Sequence, residues 1–169
     1  MRRLLLVILL VCLAVPPAAL ALRSAPGDGT LAVRNGEGFL RLEIAGAVIG
    51  RLDGGRLELV SPRIDDCEDW DVWGADRTRI RSVRDGTTTC VFTVFLATPQ
   101  SIRFRVVLGL RETLVIRTGN GFSLSAVGQG SGFIKGAGDA DGVFSLNGDR
   151  LFRSLPDTGL GFTLGATLP

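Results

Sequence analysis

Most of the chain beyond residue 30 alternates apolar and polar residues with a period of two, the pattern of a β-strand that buries one face. In Phe39–Ala45 the apolar residues Leu40, Leu42 and Ile44 alternate with polar ones. The same alternation recurs in four further segments, at residues 56–61, 77–82, 101–109 and 113–118. No segment shows the period of about 3.6 residues that marks an amphipathic helix. The alternation therefore restricts the chain to an all-β fold.

Glycines mark the predicted boundaries between these strands, because glycine adopts the positive φ of tight turns at little cost. Such turns are predicted at Asn35-Gly36, Gly46, Gly54-Gly55 and Asp85-Gly86. Nine glycines fall between Gly119 and Gly148, which predicts short strands linked by glycine turns in that region. About ten or more short strands at this spacing favour an antiparallel sandwich or roll. The alternative is a β-solenoid, although the chain has no fixed repeat period.

The first 21 residues have the features of a secretory signal peptide. Arg2 and Arg3 precede an apolar run, Leu4–Val15, and the small-residue motif Ala19-Leu20-Ala21 follows. An uncleaved anchor is disfavoured, because the run is shorter than the roughly 20 residues that span a bilayer and Pro16-Pro17 ends it. We therefore expect a mature protein that is secreted or held in the cell envelope, with no stable membrane span.

The predicted organisation is a signal peptide at residues 1–21, a flexible leader at 22–29, a single β domain at 30–156 and a C-terminal tail at 157–169. The leader is small and polar and contains Pro26 and Gly27. The remaining length suits one domain with a hydrophobic core and is short for two.

Two cysteines, Cys67 and Cys90, remain after cleavage of the signal peptide. In an oxidising compartment such a pair is expected to form one disulfide. The alternative is two free thiols.

Cleavage also changes the charge of the protein. The full chain has 19 Lys plus Arg against 17 Asp plus Glu, and the loss of Arg2 and Arg3 balances the two. A formally neutral domain has no electrostatic footprint for nucleic acid, so we expect no nucleic-acid partner.

The chain contains no histidine and no tyrosine, and this limits its chemistry. Ser-His-Asp and Cys-His catalytic groups, and metal sites built on histidine, are excluded. We expect no cofactor, and the composition favours a non-enzymatic protein.

The least β-like segment, Pro62–Ala75, is predicted to be a loop, and it contains the best candidate binding residues. Asp69 and Asp71 lie beside Trp70 and Trp73, whose rings could stack on sugars. In one interpretation the carboxylates are solvated or salt-bridged and the tryptophans form a small apolar cluster under the disulfide. In a second, the carboxylates of this acidic loop bind calcium through Asp65, Asp66, Glu68, Asp69 and Asp71. In a third, a pair among Glu68, Asp69 and Asp71 hydrolyses a glycan. The turn Asp139-Ala140-Asp141-Gly142 is a second, weaker calcium candidate.

Several phrases of the chain, GTLAVRNGEG, AVIGRLDGGRLEL, SIRFRV, SAVGQGSGFIKG and GVFSLNGDRLFRSLP, resemble a group of short secreted β-rich proteins from GC-rich bacteria. That group has no established activity, so the resemblance implies no catalytic residue or cofactor. From the residues we expect a structural or interaction module of the cell envelope or extracellular space, with an envelope or extracellular protein or glycan as its partner. A carboxylate-based glycan hydrolase and a calcium-binding module are the alternatives.

Overall fold

The computed structural model describes residues 25–82, 86–97, 99–138 and 142–165. Their strands are β1 (Gly29–Leu52), β2 (Gly55–Ser61), β3 (Val72–Trp73), β4 (Arg77–Ser82), β5 (Thr88–Val94), β6 (Ile102–Leu108), β7 (Thr113–Gly136), β8 (Val143–Leu146), β9 (Arg153–Ser154) and β10 (Leu160–Leu164). Within the described ranges the only helical segment is a 3-10 turn of three residues, Cys67–Asp69. None of the helical structure there is long and apolar enough to cross a membrane.

The strands form one ten-stranded antiparallel sheet that curls into a half-barrel. The main path of the sheet runs β3-β6-β1-β7-β2-β5-β4, with β10 paired to β7, β8 paired to β1, and β9 paired to β8. The all-β antiparallel prediction is thus confirmed. Because every pairing is antiparallel, the sheet is not a parallel β-solenoid.

Two strands of 24 residues each, β1 and β7, organise the sheet by pairing with each other twice. In the first ladder residues 29–42 of β1 run against residues 128–114 of β7. In the second, residues 38–52 of β1 run against residues 136–122 of β7. The middle of each strand therefore has the other strand along both of its edges, and this reciprocal pairing curls the sheet.

The turns predicted at Asn35-Gly36 and Gly46 are wrong, because both positions lie inside β1. The short strands predicted after Gly119 are wrong as far as Gly136, because that region lies inside β7. Beyond it the prediction is confirmed, since β8 is a short strand and a turn at Gly148, with a φ of 77°, follows it.

Gly128 and Gly130 have φ values of 157° and 146° and lie opposite Gly46 and Ile44 of β1. A Cβ at either position would collide with a backbone carbonyl oxygen of β1, that of Ala45 or of Glu43. These glycines permit close backbone approach inside a strand and do not form turns.

The hydrophobic core lies on the inner face of the curled sheet, as the alternation predicts. Leu40, Leu42 and Ile44 are at most 1% exposed, whereas Arg41 and Glu43 face solvent and form an ion pair. The core also contains the buried apolar residues of β2, β6 and the first part of β7, which are Leu57, Leu59, Ile102, Phe104, Val106, Leu108, Leu114 and Ile116.

The predicted disulfide between Cys67 and Cys90 is confirmed, with a Cα–Cα distance of 5.4 Å. It joins the 3-10 turn to β5, and both sulfurs are buried in the core. The segment predicted as a loop thus includes the 3-10 turn and the short strand β3. The disulfide attaches this segment to the sheet.

Both ends of the chain bear on the predicted domain limits. The region predicted as a C-terminal tail contains β10, which pairs with β7 and buries Leu164 completely, so the sheet extends into it. The predicted signal peptide lies outside the described residues, and its assignment stays a prediction.

The close approach of β7 to β1 predicts that Gly130→Ala is strongly destabilising. The new Cβ would meet the Glu43 carbonyl in a backbone conformation that L-residues avoid, so we expect a loss of about 2 kcal/mol or more in the free energy of unfolding. Urea denaturation measures the loss. Gly161→Ala in β10 is the matched control, because that Cβ meets no atom within 4 Å. Equal stability of the two variants would contradict the proposed role of Gly130.

The disulfide predicts a second effect on stability. Replacing both cysteines with alanine removes a cross-link between residues 23 apart, which costs about 3 kcal/mol in the chain-entropy model. A lower melting temperature of the double variant, measured by circular dichroism, checks this. Alkylation of both thiols in exported protein without reductant would contradict the disulfide.

Candidate functional site

The structure separates the two tryptophans of the predicted binding loop. Trp70 is 7% exposed and belongs to the hydrophobic core that also includes Cys67 and Cys90. Trp73 lies in β3 and is 55% exposed. Asp69, which ends the 3-10 turn, and Asp71, which lies between the two tryptophans, are both exposed. The two indoles thus do not form a joint platform, and only Trp73 is available to a ligand.

The carboxylates of this loop do not converge on a common point. Among the described residues no three potential ligands form a group that could hold a metal ion. Asp66 accepts a hydrogen bond from the Glu68 amide at 3.2 Å and so caps the 3-10 turn. Asp139 and Asp141, the second calcium candidate, lie outside the described residues.

Trp73 stands at one end of a groove on the outer face of the sheet. The groove has a volume of about 940 Å³ and crosses β3, β6, the second half of β1, the middle of β7 and the first half of β1. We call it the Trp73 groove. Its floor is made of short or apolar side chains, including Ala32, Ile49, Ser125 and Val127.

Cross-strand pairing sets the positions of the groove's long side chains. Trp73 lies opposite Arg103, Arg103 lies opposite Arg51, and Arg51 lies opposite Ser123 on β7. Arg105 lies opposite Ile49 in the next row. Neighbouring strands are about 4.8 Å apart, so the side chains of Trp73, Arg103 and Arg51 lie side by side across the strands.

The groove is electropositive. Arg51 forms a 2.6 Å ion pair with Asp53, but Arg103 and Arg105 have no carboxylate within 4 Å among the described residues, and both are exposed. Asp and Glu are absent from the described lining of the groove. The groove can therefore attract an anionic ligand, and its described lining does not provide the two facing carboxylates that glycoside hydrolysis uses.

The arginines of this groove could not be assigned from the sequence, whereas Trp73 could. The alternation in SIRFRV predicts that Arg103 and Arg105 face outward, but outward-facing arginines are common on strands. Arg51 is remote in sequence, and only the register of β1 against β6 brings it opposite Arg103. Neither segment of the sequence indicates how β1 aligns with β6.

One carboxylate, Glu112, is buried in the turn between β6 and β7, with 2% of its surface exposed. It accepts hydrogen bonds from Ser61 Oγ at 2.5 Å, from Arg63 Nη2 at 2.7 Å and from the Gly109 amide at 2.7 Å. Burial alone would raise the pKa of Glu112, but these hydrogen bonds and the charge of Arg63 outweigh it and hold the pKa below its usual value. Glu112 is thus a structural carboxylate, and its hydrogen bonds link the turn to the end of β2.

No protein-family model, curated protein or solved structure matches the chain. The chemistry of the site therefore follows from its own geometry: an exposed indole, an apolar floor and two guanidinium groups that form no ion pair with any described residue. This combination is suited to binding an anionic ligand that also has a flat apolar face.

The lowered pKa of Glu112 predicts a pH-dependent contribution to stability. A carboxyl whose pKa is lower in the folded state stabilises the fold above its unfolded pKa of about 4.3, and this contribution disappears as the pH falls through the folded value. Glu112→Gln should cost about 2 kcal/mol at pH 7, because charge-assisted hydrogen bonds are lost. The difference between wild type and variant should shrink below about pH 4. Urea denaturation across this range measures it, and a difference independent of pH would contradict the assignment.

Proposed function

We propose that the protein is an exported, non-enzymatic interaction module of the cell envelope or extracellular space, and that it binds an acidic glycan in the Trp73 groove. The observation that supports this most directly is the placement of an exposed indole opposite Arg103, with Arg105 two positions further along the same strand. Neither arginine has a carboxylate partner among the described residues. The buried disulfide favours an oxidising compartment, where such glycans occur.

The groove's side chains match the two kinds of surface on an acidic sugar. A sugar ring has an apolar face of C–H groups that stacks on an aromatic ring, as Trp73 would allow. Ile49 and Val127 extend that apolar contact along the floor. The carboxylate or sulfate of the sugar would accept hydrogen bonds from Arg103 and Arg105, whose planar guanidinium groups bind such anions in a bidentate manner.

The Trp73 groove is open to solvent, which suits the binding of a polymer. The groove lies on the outer face of a sheet and is not enclosed, so a long polymer can lie across the strands without a free end. Short floor side chains such as Ala32 and Ser125 leave space for such a chain between the longer arginines. We therefore expect binding along a polysaccharide and not only at its terminus.

The test is to titrate the mature protein with oligogalacturonate and, separately, with its neutral methyl ester, and to measure the binding of each by isothermal titration calorimetry. We expect the acidic form to bind, and binding to weaken as salt is raised. Trp73→Ala and the double variant Arg103→Ser/Arg105→Ser should each weaken binding by about tenfold, equivalent to about 1.4 kcal/mol.

The matched control is Arg79→Ser/Arg81→Ser, which removes two exposed arginines from a different part of the sheet. This control should bind oligogalacturonate as the wild type does. Equal affinity for the neutral ester, or an equal loss in the control variant, would refute the assignment of the groove.

A further inference from the structure

A second cluster of arginines lies on the outer face of the sheet where β4, β5, β2 and β7 are neighbours. Cross-strand pairing aligns Arg77 with Thr93, Thr93 with Arg56, and Arg56 with Arg117 in one row. Arg79 and Arg81 follow Arg77 at alternate positions of β4 and face the same way. A hollow of about 480 Å³ is lined by the arginines of β2 and β4. We call the group Arg56, Arg77, Arg79, Arg81 and Arg117 the arginine face.

The charges of the arginine face are only partly neutralised. Glu58 lies 3.5 Å from Arg56 and 4.0 Å from Arg117. The three arginines of β4 form no ion pair within the described part of the chain. The Asp76 carboxylate accepts a 2.8 Å hydrogen bond from the Phe95 amide.

The acidic loop also adjoins β4, but from the other side of the sheet. Cys67, which anchors that loop, is bonded to Cys90, and Cys90 points into the core. The arginines of β4 point away from the core. The outer face of β4 is therefore basic although the mature chain is formally neutral.

Two exposed apolar residues follow the end of β5 and adjoin the arginine face. Phe95 is 51% exposed and Leu96 is 66% exposed. Phe95 lines the hollow beside β4 and also a second hollow of about 530 Å³ that includes Leu96, Arg56 and Arg117. An aromatic and an aliphatic side chain are thus flanked by arginines on both sides. We call Phe95 and Leu96 the apolar tip.

From this juxtaposition we propose that the arginine face and the apolar tip dock the protein on the surface of an anionic phospholipid bilayer. Arginines near a membrane surface are attracted to its negative potential and bind lipid phosphates. Exposed apolar side chains next to them are buried at the boundary between headgroups and acyl chains. The apolar tip selects a bilayer over a soluble polyanion, because a polyanion in water offers no apolar region to cover Phe95 and Leu96.

The bilayer surface is distinct from the Trp73 groove and can be tested separately from it. The mature protein is sedimented with vesicles of equal parts phosphatidylglycerol and phosphatidylcholine, and with vesicles of phosphatidylcholine alone. We expect binding only to the anionic vesicles, with a decrease at high salt. Arg79→Ser/Arg81→Ser and Phe95→Ser/Leu96→Ser should each reduce the partition coefficient by about tenfold or more.

Two control variants match these changes elsewhere on the surface. Arg103→Ser/Arg105→Ser removes the same charge from the Trp73 groove, and Leu110→Ser removes an apolar side chain that is 88% exposed. Both should bind anionic vesicles as the wild type does. Circular dichroism verifies that every variant is folded.

A further variant reports insertion without removing apolar surface. Phe95→Trp should show a blue shift of tryptophan emission on addition of the anionic vesicles, and quenching when the lipids carry brominated acyl chains. Equal binding to both kinds of vesicle would overturn the proposal, as would unchanged emission of Phe95→Trp. If polyphosphate displaces the protein and Phe95→Ser/Leu96→Ser binds normally, the arginine face recognises a soluble polyanion and the bilayer proposal is wrong.

Discussion

The double pairing of β1 with β7 determines how the whole sheet is built. Each long strand follows the other along both edges, so the sheet cannot stay flat and curls around its apolar inner face. The close approach requires glycine at positions such as Gly128 and Gly130, where a Cβ would collide with a carbonyl oxygen of β1. The double pairing therefore depends on glycine at these positions.

The curl of the sheet also arranges its outer surface. Because β1 and β7 pass through both halves of the sheet, every other strand attaches to one of them directly or through one or two neighbours. The half that contains β3 and β6 has the Trp73 groove, and the half that contains β4 and β5 has the arginine face. In both, the described lining of the hollows is rich in arginine and contains no carboxylate. A single inner core thus supports two electropositive outer surfaces with different apolar components.

The candidate site was only partly predictable. The sequence predicts Trp73 as a binding residue because it is a tryptophan in a polar loop, but it predicts Trp70 on the same ground, and Trp70 is buried in the core. The two residues differ in how the disulfide and β3 hold the loop against the sheet, and nothing local distinguishes them. The glycines are ambiguous in a similar way. A glycine that permits close approach of two strands cannot be distinguished in the sequence from one that forms a turn.

The all-β class, the inward-facing residues of most strands and the pairing of Cys67 with Cys90 are predictable from the sequence alone. These depend on local alternation, or on there being two cysteines in the predicted mature chain. In contrast, the identity of the outward-facing residues that become neighbours depends on the folded sheet. Arg51 meets Arg103, and Arg56 meets Arg117, through registers between segments about fifty or more residues apart. Alternation determines the face on which a side chain lies, whereas its cross-strand neighbours depend on how the long strands coil.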